Sequence, residues 1–347
     1  MTKVLLTGGS GFIATHILDL LLKTGHAVVT TVRSPEKAAP IHAAYPDVGP
    51  ERLQTVIVPD IAQEQAFDEA VQVPGIEVVL HTASPFHFRV TDLKRDLVDP
   101  AVIGTTGILR AIAAHAPQVR RVVVTSSFAA IADVSKSDDP TTIFTEASWN
   151  PVTLADVTGA NNTVANAGTG YRASKTLAEQ AAWAFVRSQK PNFDLVTINP
   201  PMVYGPVLHH VTGGIAAINT SSEIFRDVIT GAWKDKDELP PVRVANFVDV
   251  RDVATAHVAA GFQKDLGGHR LFTTSGHYDN RTILEIVRAH FPEYADVLPP
   301  KDIPGGDLPA AHYGFDNSET TRLLGITWIP LEKSVVDAVK SIQPLLQ

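Results

Sequence analysis

The chain contains no cysteine and only two methionines among its 347 residues. Without cysteine the protein can form no disulfide bond, use no thiolate nucleophile and hold no metal through a thiolate. Positive charge is also in the minority, because 29 Lys and Arg residues stand against 37 Asp and Glu residues and give a formal net charge of -8. A chain without a broad basic surface is not expected to bind nucleic acid.

Long hydrophobic runs are scarce as well. No apolar run in the sequence approaches the length of a membrane span, and the first predicted strand begins at Lys3, which leaves no room for a secretory leader. We therefore expect a cytoplasmic protein that does not enter a membrane. The 13 histidines include no His-x-x-x-His pair, so no metal site is expected.

What the sequence does contain is an alternation of short strands and helices. Six β-branched apolar runs predict strands, and their near-continuous apolarity indicates that both faces of the sheet are covered. Helical patterns at residues 13–23, 65–71, 101–115 and 173–188 lie between these runs. Such alternation predicts an α/β fold with a doubly wound parallel (Rossmann) sheet. The predicted strands are residues 4–7, 27–32, 55–58, 78–83, 122–126 and 194–199.

The pattern changes beyond Pro206, and this change predicts a division into two domains. Residues 1–205 are predicted to form the dinucleotide-binding Rossmann domain. A strand at residues 242–248 and a helix at 253–262 are expected to return to it. Residues 206–241 and 263–347 are then predicted to form a smaller C-terminal substrate-binding domain, which a helix over residues 331–346 closes.

A glycine-rich turn, Thr7-Gly8-Gly9-Ser10-Gly11-Phe12-Ile13-Ala14, follows the first predicted strand and opens the first helix. Its Gly9-x-Gly11-x-x-Ala14 spacing matches the dinucleotide fingerprint. Glycines allow the backbone to turn tightly and to approach a pyrophosphate, whose charge the helix N-terminus stabilises. Together with its place in the alternation, the turn predicts a bound dinucleotide.

The end of the second predicted strand favours NADP over NAD. A carboxylate that holds the ribose 2′-hydroxyl of NAD is usual there, but the sequence reads Thr-Val-Arg-Ser and places Arg33 at that point. Arg33 can pair with a 2′-phosphate, and Lys37 adds a second cation one helical turn later. Asp60, after the third strand, could accept a hydrogen bond from the adenine amine or simply form a turn.

Tyr171 and Lys175 form a candidate catalytic pair. The two residues are four positions apart on a predicted helix and therefore lie on one face. A phenol is a weak acid at neutral pH, and a nearby ammonium stabilises its phenolate, which suits Tyr171 to donate a proton to a carbonyl oxygen. Two serines, Ser126 and Ser127, end the fifth strand, and for either one polarising a carbonyl and capping a turn are both possible.

Taken together these motifs resemble the extended short-chain dehydrogenase/reductase family over nearly the whole chain. The resemblance is to the branch of plant dihydroflavonol reductases, cinnamoyl-CoA reductases and fungal methylglyoxal, aldehyde or ketone reductases. The motifs that carry it are Thr7-Gly8-x-x-Gly11-Phe12-Ile13-Ala14, Arg33 with Lys37, His81-Thr82-Ala83-Ser84-Pro85-Phe86, Thr125-Ser126-Ser127, Tyr171-x-x-x-Lys175, Asn199-Pro200-Pro201-x-Val203-Tyr204-Gly205-Pro206 and Phe247-Val248-Asp249-Val250-Arg251-Asp252-Val253-Ala254.

The resemblance implies roles for individual residues. Ser127 rather than Ser126 is the implied catalytic serine, beside Tyr171 and Lys175. Three aromatic side chains are candidates for the substrate pocket, although packing in the core is an equally good explanation of each: Phe86, Phe128 and Tyr204. The implied cofactor-binding residues are Thr7, Gly8, Gly11, Phe12, Ile13, Arg33, Lys37, Asp60, Ile61, Thr82, Ala83, Ser84, Thr125, Tyr171, Lys175, Pro200 and Val203.

The sequence therefore predicts an NADPH-dependent carbonyl reductase that converts a small aldehyde or ketone to an alcohol, acting as a monomer or a homodimer. Two alternatives are an NAD-dependent sugar-nucleotide epimerase or dehydratase of the same fold, and a non-catalytic NADPH-sensing protein. Arg33 argues against the first, and the presence of Tyr171 with Lys175 argues against the second. Residues 157–170 depart from the branch by their length and their Gly, Asn, Thr and Ala content, and we expect them to form part of the pocket rim or a lid.

Overall fold

The β-branched runs form strands of a parallel sheet in a computed structural model that describes residues 1–84, 90–208, 213–242 and 244–346. The strands are β1 (Lys3–Thr7), β2 (Ala27–Val32), β3 (Leu53–Ile57), β4 (Ile76–His81), β5 (Arg121–Thr125), β6 (Ile143–Phe144), β7 (Asp194–Ile198), β8 (Met202–Tyr204), β9 (Asn246–Asp249), β10 (Arg270–Leu271), β11 (Gly276–His277) and β12 (Gly314–Phe315). The helices are α1 (Phe12–Lys23), α2 (Pro35–Ala44), α3 (Asp68–Val71), α4 (Asp99–His115), α5 (Ala167–Gln189), α6 (Glu223–Ile229), α7 (Val250–Phe262), α8 (Asn280–His290), α9 (Ser318–Leu324) and α10 (Leu331–Ile342).

Seven of the strands form one sheet in the order β10-β7-β5-β4-β1-β2-β3, and every pairing within it is parallel. The prediction of a doubly wound parallel sheet is therefore confirmed. The chain order reverses between β1 and β4, which lie side by side. Ligands of open α/β sheets bind beyond the carboxyl ends of the strands at such a switch point.

A hydrophobic core covers each face of this sheet, because the strands are apolar on both sides. One core joins β1, β2 and β4 to α1 and α7 through side chains such as Ile17 and Val253. The other joins the opposite face to α4 and α5 through Ile108, Leu109 and Ala182. Helices therefore pack on both faces of the sheet, and the candidate site lies at the ends of its strands.

The return of residues 242–262 to the sheet is only partly as predicted. Helix α7 packs on the core beside α1, as expected. Strand β9, however, pairs with β8 and β11 in a separate three-stranded sheet, and it begins only at Asn246. In addition β10, which we assigned to the smaller domain, pairs with β7 as an edge strand of the large sheet. Nothing in the sequence indicated this strand, because a two-residue strand carries no periodicity.

A third core lies among the helices after Pro206. Buried side chains from α6, α8 and α10 pack there, including Phe225, Ile283 and Val339. A two-stranded parallel sheet of β6 and β12 joins residues 142–144 to residues 314–315. The division into a Rossmann domain and a smaller substrate domain remains a prediction.

Several helix bounds differ from those predicted. Helix α3 covers only residues 68–71, α5 begins before Tyr171 rather than after it, and α10 ends at Ile342 before a short 3-10 turn. The helical stretch Lys94–His115 is long and apolar enough to cross a membrane by length and composition, contrary to the expectation from the sequence. More than half of it is buried, and it packs on α5 as a core helix does.

Buried histidines predict a loss of stability in acid. Burial lowers the pKa of His257 from 6.5 to about 4, and its Nδ1 is 2.8 Å from the carbonyl of Val253. The unfolded chain therefore binds a proton near pH 6.5 that the folded protein does not bind until about pH 4. Stability from this residue is present above pH 6.5 and is lost as the pH falls to about 4, by about 3 kcal/mol in total.

Replacing His257 by glutamine should remove that share of the pH dependence. We expect urea unfolding of H257Q to show a free energy that changes about 3 kcal/mol less than that of the wild type between neutral pH and pH 4. The exposed His42 provides a control, since H42Q should retain the wild-type slope. If the unfolding free energies of H257Q and the wild type had the same pH dependence, the inference that His257 is buried in its neutral form would be wrong.

Candidate active site

The glycine-rich turn follows β1 and packs against β2 and the residues just after β4. Gly8 has a φ of +73°, and a Cβ added there would lie 3.0 Å from the backbone Cα of Ala83. A Cβ on Gly9 would lie 2.0 Å from the hydroxyl of Thr30. Both glycines are thus required by close packing, in addition to any need of a ligand.

No side chain caps the N-terminus of α1. Gly11 is the N-cap, and no acidic residue lies in the first turn of the helix. The positive end of the helix dipole favours an anion at this position. This arrangement fits the pyrophosphate of a dinucleotide.

A cavity of about 220 Å³ begins at this turn and extends along the strand ends. Arg33 and Lys37 are exposed cations on its wall, and none of the described residues that line it carries a carboxylate. Arg33 forms no hydrogen bond or salt bridge with the described residues. Such a wall fits a 2′-phosphate and not a ribose diol. The structure brings eight of the predicted cofactor residues together here: Gly8, Gly11, Arg33, Lys37, Ile61, Thr82, Ala83 and Ser84.

Two predicted cofactor residues form hydrogen bonds within the protein. Thr7 has no exposed surface, and its hydroxyl accepts from the N–H of Ala83 at 3.1 Å and lies 2.9 Å from Nδ1 of His81. The carboxylate of Asp60 accepts hydrogen bonds from Gln63 and from the N–H of Ala62, which lower its pKa; the residue is exposed, and its contact with the adenine stays a prediction. Neither residue lines the cavity.

The candidate catalytic pair lies on the face of α5 that meets the strand ends. Nζ of Lys175 is 5.9 Å from the centre of the Tyr171 ring and donates to the hydroxyl of Ser84 at 3.0 Å. A small cavity of about 20 Å³ lies beside Lys175, which is room for one water molecule. It shares Ile61, Ala83 and Ser84 with the cofactor cavity, so the two spaces adjoin.

The structure distinguishes the two serines at the end of β5. The hydroxyl of Ser126 donates to the buried carboxylate of Glu179. The hydroxyl of Ser127 accepts from the N–H of Ala129 at 3.1 Å and caps the turn that follows. Its own proton has no acceptor among the described residues and stays free for a substrate oxygen. The geometry therefore favours Ser127, which both caps a turn and can donate.

Two buried histidines lie beside the carboxyl ends of the strands. Thr125 lies 2.7 Å from Nε2 of His257, and because Nδ1 of that ring faces a carbonyl and carries the proton, Thr125 is the donor. Burial, helped by the charge of Lys175, lowers the pKa of His81 to about 3. Both rings are therefore neutral at physiological pH. Thr125 also lines the small cavity beside Lys175.

The predicted pocket aromatics are core residues. Tyr204 is 1% exposed and packs edge-on against Phe225 and Tyr278, so it offers no surface to a substrate. Phe128 is 4% exposed and stacks on Phe272 at 5.1 Å in a second aromatic cluster. Both assignments are corrected, because neighbouring motifs place a ring near a site without showing which way it faces. Phe86 lies outside the described residues.

The remaining predicted residues stay predictions. Pro200 and Val203 are buried at the end of β7 and in β8, and the carbonyl of Pro200 accepts from the N–H of Phe128 at 2.9 Å. Phe12 and Ile13 are half-buried in the first turn of α1.

The segment 157–170 is tied down at several points. Val157 is fully buried, the amide oxygen of Asn162 accepts from the N–H of Leu93 at 2.6 Å, and α5 already begins at Ala167. A Cβ on Gly170 would lie 2.9 Å from Leu97, so the residues beside Tyr171 pack directly on the turn that precedes α4. A place at the pocket rim remains a prediction.

Sequence reasoning missed the buried polar residues beneath the site. Glu179 is four positions beyond Lys175, a helical spacing that could have drawn attention to it. Asn199 was noted only as part of a motif. Arg270 had no signal, because its strand is too short to be recognised. These three residues form one hydrogen-bonded cluster.

Comparison with known proteins agrees with this arrangement. Residues 4–272 match the NAD dependent epimerase/dehydratase family. The chain belongs to that family. The match covers the glycine-rich turn, the Tyr171 helix and every strand of the large sheet. The predicted resemblance to extended short-chain dehydrogenases/reductases is thus confirmed.

The similar members of the family extend over the full chain. Ketoreductase azaE of Aspergillus niger is 47% identical over 98% of this chain and 97% of its own length. The NADPH-dependent methylglyoxal reductase GRE2 of Saccharomyces cerevisiae is 36% identical over 98% of both chains. The crystal structure of the yeast methylglyoxal/isovaleraldehyde reductase Gre2 complexed with NADPH gives a TM-score of 0.88 at 35% identity, covering 99% of this chain and 98% of that one.

Proposed function

We propose that the chain reduces a small aldehyde or ketone at the strand ends between Ser127 and Tyr171. The observation that carries this proposal is the meeting of Lys175, Ser84 and the cofactor cavity around one strand edge. The reaction class is confirmed independently, since the relatives named above are an NADPH-dependent reductase and a ketoreductase. The chain is accordingly an NADPH-dependent carbonyl reductase.

Residues of the turn and of β2 would hold the cofactor. The N-terminus of α1 would bind the pyrophosphate, and Arg33 with Lys37 would bind the 2′-phosphate. When bound, NADPH supplies the hydride that reaches the carbonyl carbon. Thr82, Ala83 and Ser84 form the opposite wall of the same cavity.

The proton comes from the chain itself. The hydroxyl of Ser127 donates a hydrogen bond to the carbonyl oxygen and polarises it. Tyr171 transfers its phenolic proton to that oxygen as negative charge develops there. Lys175, 5.9 Å from the centre of the Tyr171 ring, stabilises the phenolate that remains.

The same residues argue against the two alternative functions, an epimerase or dehydratase and a non-catalytic sensor. An NAD-dependent epimerase or dehydratase would favour a carboxylate on the cofactor wall, where the described lining residues offer Arg33 and Lys37. A sensor that had lost catalysis has no need of a Tyr171 and Lys175 pair aligned with Ser84. Methylglyoxal and isovaleraldehyde, which the yeast relative's name gives, are the first substrates to test.

The test is the loss of near-ultraviolet absorbance of NADPH, and separately of NADH, with a panel of carbonyl compounds. The panel contains methylglyoxal, isovaleraldehyde, a diketone, an aryl ketone and a β-keto ester. We expect turnover of at least one compound with a marked preference for NADPH. Tight NADPH binding without any turnover would instead favour the sensor.

A further inference from the structure

The carboxylate of Glu179 lies buried beneath the proposed catalytic residues. Glu179 is on α5, four positions beyond Lys175 and eight beyond Tyr171, so the three side chains follow one side of the helix. Only 1% of Glu179 is exposed. A carboxylate removed from water in this way requires several donors and a counter-charge.

Five side chains satisfy this carboxylate. The shortest nitrogen contacts are 2.6 Å from Nε of Arg270 to Oε1 and 2.7 Å from Nδ2 of Asn199 to Oε2. The Arg270 side chain is itself only 10% exposed, so this is a buried ion pair. The five donors are Ser126, Trp183, Thr197, Asn199 and Arg270.

Two of these donors, Ser126 and Asn199, connect Ser127 to the carboxylate of Glu179. Ser126 precedes it directly in the chain and is bound to the carboxylate through its hydroxyl. Asn199, at the end of β7, donates from the same Nδ2 to Oε2 of Glu179 and, at 3.2 Å, to the carbonyl of Ser127. The buried carboxylate therefore links the end of β5 and the end of β7 to the helix that carries Tyr171.

Arg270 also connects Glu179 to residues 146–149, which precede a contact with the turn that Ser127 caps. Its guanidinium donates to the carbonyls of Glu146 and Ser148 at 2.6 and 2.7 Å and lies 3.7 Å from the ring centre of Trp149. Asn150 then donates to the carbonyl of Ala129 at 2.9 Å, inside the turn that Ser127 caps. Arg270 of the edge strand β10 is thus linked, through residues 146–150, to the turn that Ser127 caps.

We propose that Glu179, paired with Arg270, is a positioning residue that fixes Ser127 relative to Tyr171 and Lys175. This inference rests on the roles assigned under the proposed function. Glu179 and Lys175 line the same small cavity, which His81 also lines, so the carboxylate lies close to the ammonium that is proposed to stabilise the phenolate of Tyr171. A purely structural ion pair would not alter the pH profile of the reaction in a charge-dependent way.

The test compares variants of the full-length enzyme with the carbonyl compound that the wild type turns over best. We expect E179Q to lower kcat about 10- to 100-fold while the Kd for NADPH, measured by fluorescence, stays within about two-fold. On the alkaline side, the midpoint of the kcat/KM profile should move to lower pH in E179Q, which removes a negative charge. It should move to higher pH in R270Q, which removes a positive one, each by about half a unit.

Single-donor variants provide a matched pair if the ion-pair variants do not fold. S126A and W183F each remove one donor to the carboxylate, but Ser126 is joined to Ser127 and Trp183 only to α5 itself. We expect about a ten-fold loss of kcat in S126A and a change within about two-fold in W183F. R270K, which keeps the charge, should move the profile less than R270Q does.

Three results would overturn the inference: E179Q turning over within two-fold of the wild type, S126A and W183F losing equal activity, or both charge variants shifting the profile in one direction. Each of these presupposes an active wild type. A wild type that is inactive with the whole panel would overturn the proposed function instead, and this inference with it.

Discussion

Replacing Tyr171 by phenylalanine is expected to lower kcat by about 10³-fold, within the range that removal of a general acid produces. The variant keeps the ring that lies near Lys175 and loses only the phenolic proton. Because Tyr171 is not among the residues that line the cofactor cavity, the Kd for NADPH should stay within about two-fold of the wild-type value. Steady-state kinetics and a fluorescence titration with NADPH measure the two quantities.

The control for this experiment is Tyr294, which is half-buried beside Phe291 and away from the site. Y294F removes a phenol of the same kind, and its turnover should match that of the wild type. If Y171F and Y294F both retained full turnover, Tyr171 would not be the proton donor and the mechanism would have to be abandoned.

The second large effect concerns the choice of cofactor. Replacing Arg33 by alanine is expected to raise KM for NADPH about 10- to 150-fold, because a charged hydrogen-bonding pair contributes roughly 1.5–3 kcal/mol. KM for NADH should change little, since NADH has no phosphate at the ribose 2′ position. The measurement is the ratio of kcat/KM values for the two cofactors.

Arg110 offers a matched control for Arg33. It is an exposed arginine on α4 that does not line the cofactor cavity, and R110A should leave both cofactors unaffected. Equal losses with NADPH and NADH in R33A would mean that Arg33 supports the turn generally. The 2′-phosphate would then have to be bound elsewhere.

The sequence was informative wherever a local pattern has one structural outcome. β-branched runs between helical patterns predicted a doubly wound parallel sheet, because buried parallel strands need apolar faces on both sides. The glycine-rich turn, Arg33 and Lys37 were predicted from their distance to the first two strands, and the structure places them on one cavity. The family and the reductase class followed from these motifs and were confirmed by the relatives.

Other features depended on contacts between residues far apart in the chain. The orientation of the Tyr204 and Phe128 rings, the edge position of β10 and the bracing of Ser127 by Arg270 each join segments that no local spacing relates. The local sequence shows which helix or strand carries a side chain. The residues that contact this side chain from other elements are determined only when the elements pack together. For this reason the buried ion pair of Glu179 and Arg270 was recognised only in the tertiary structure.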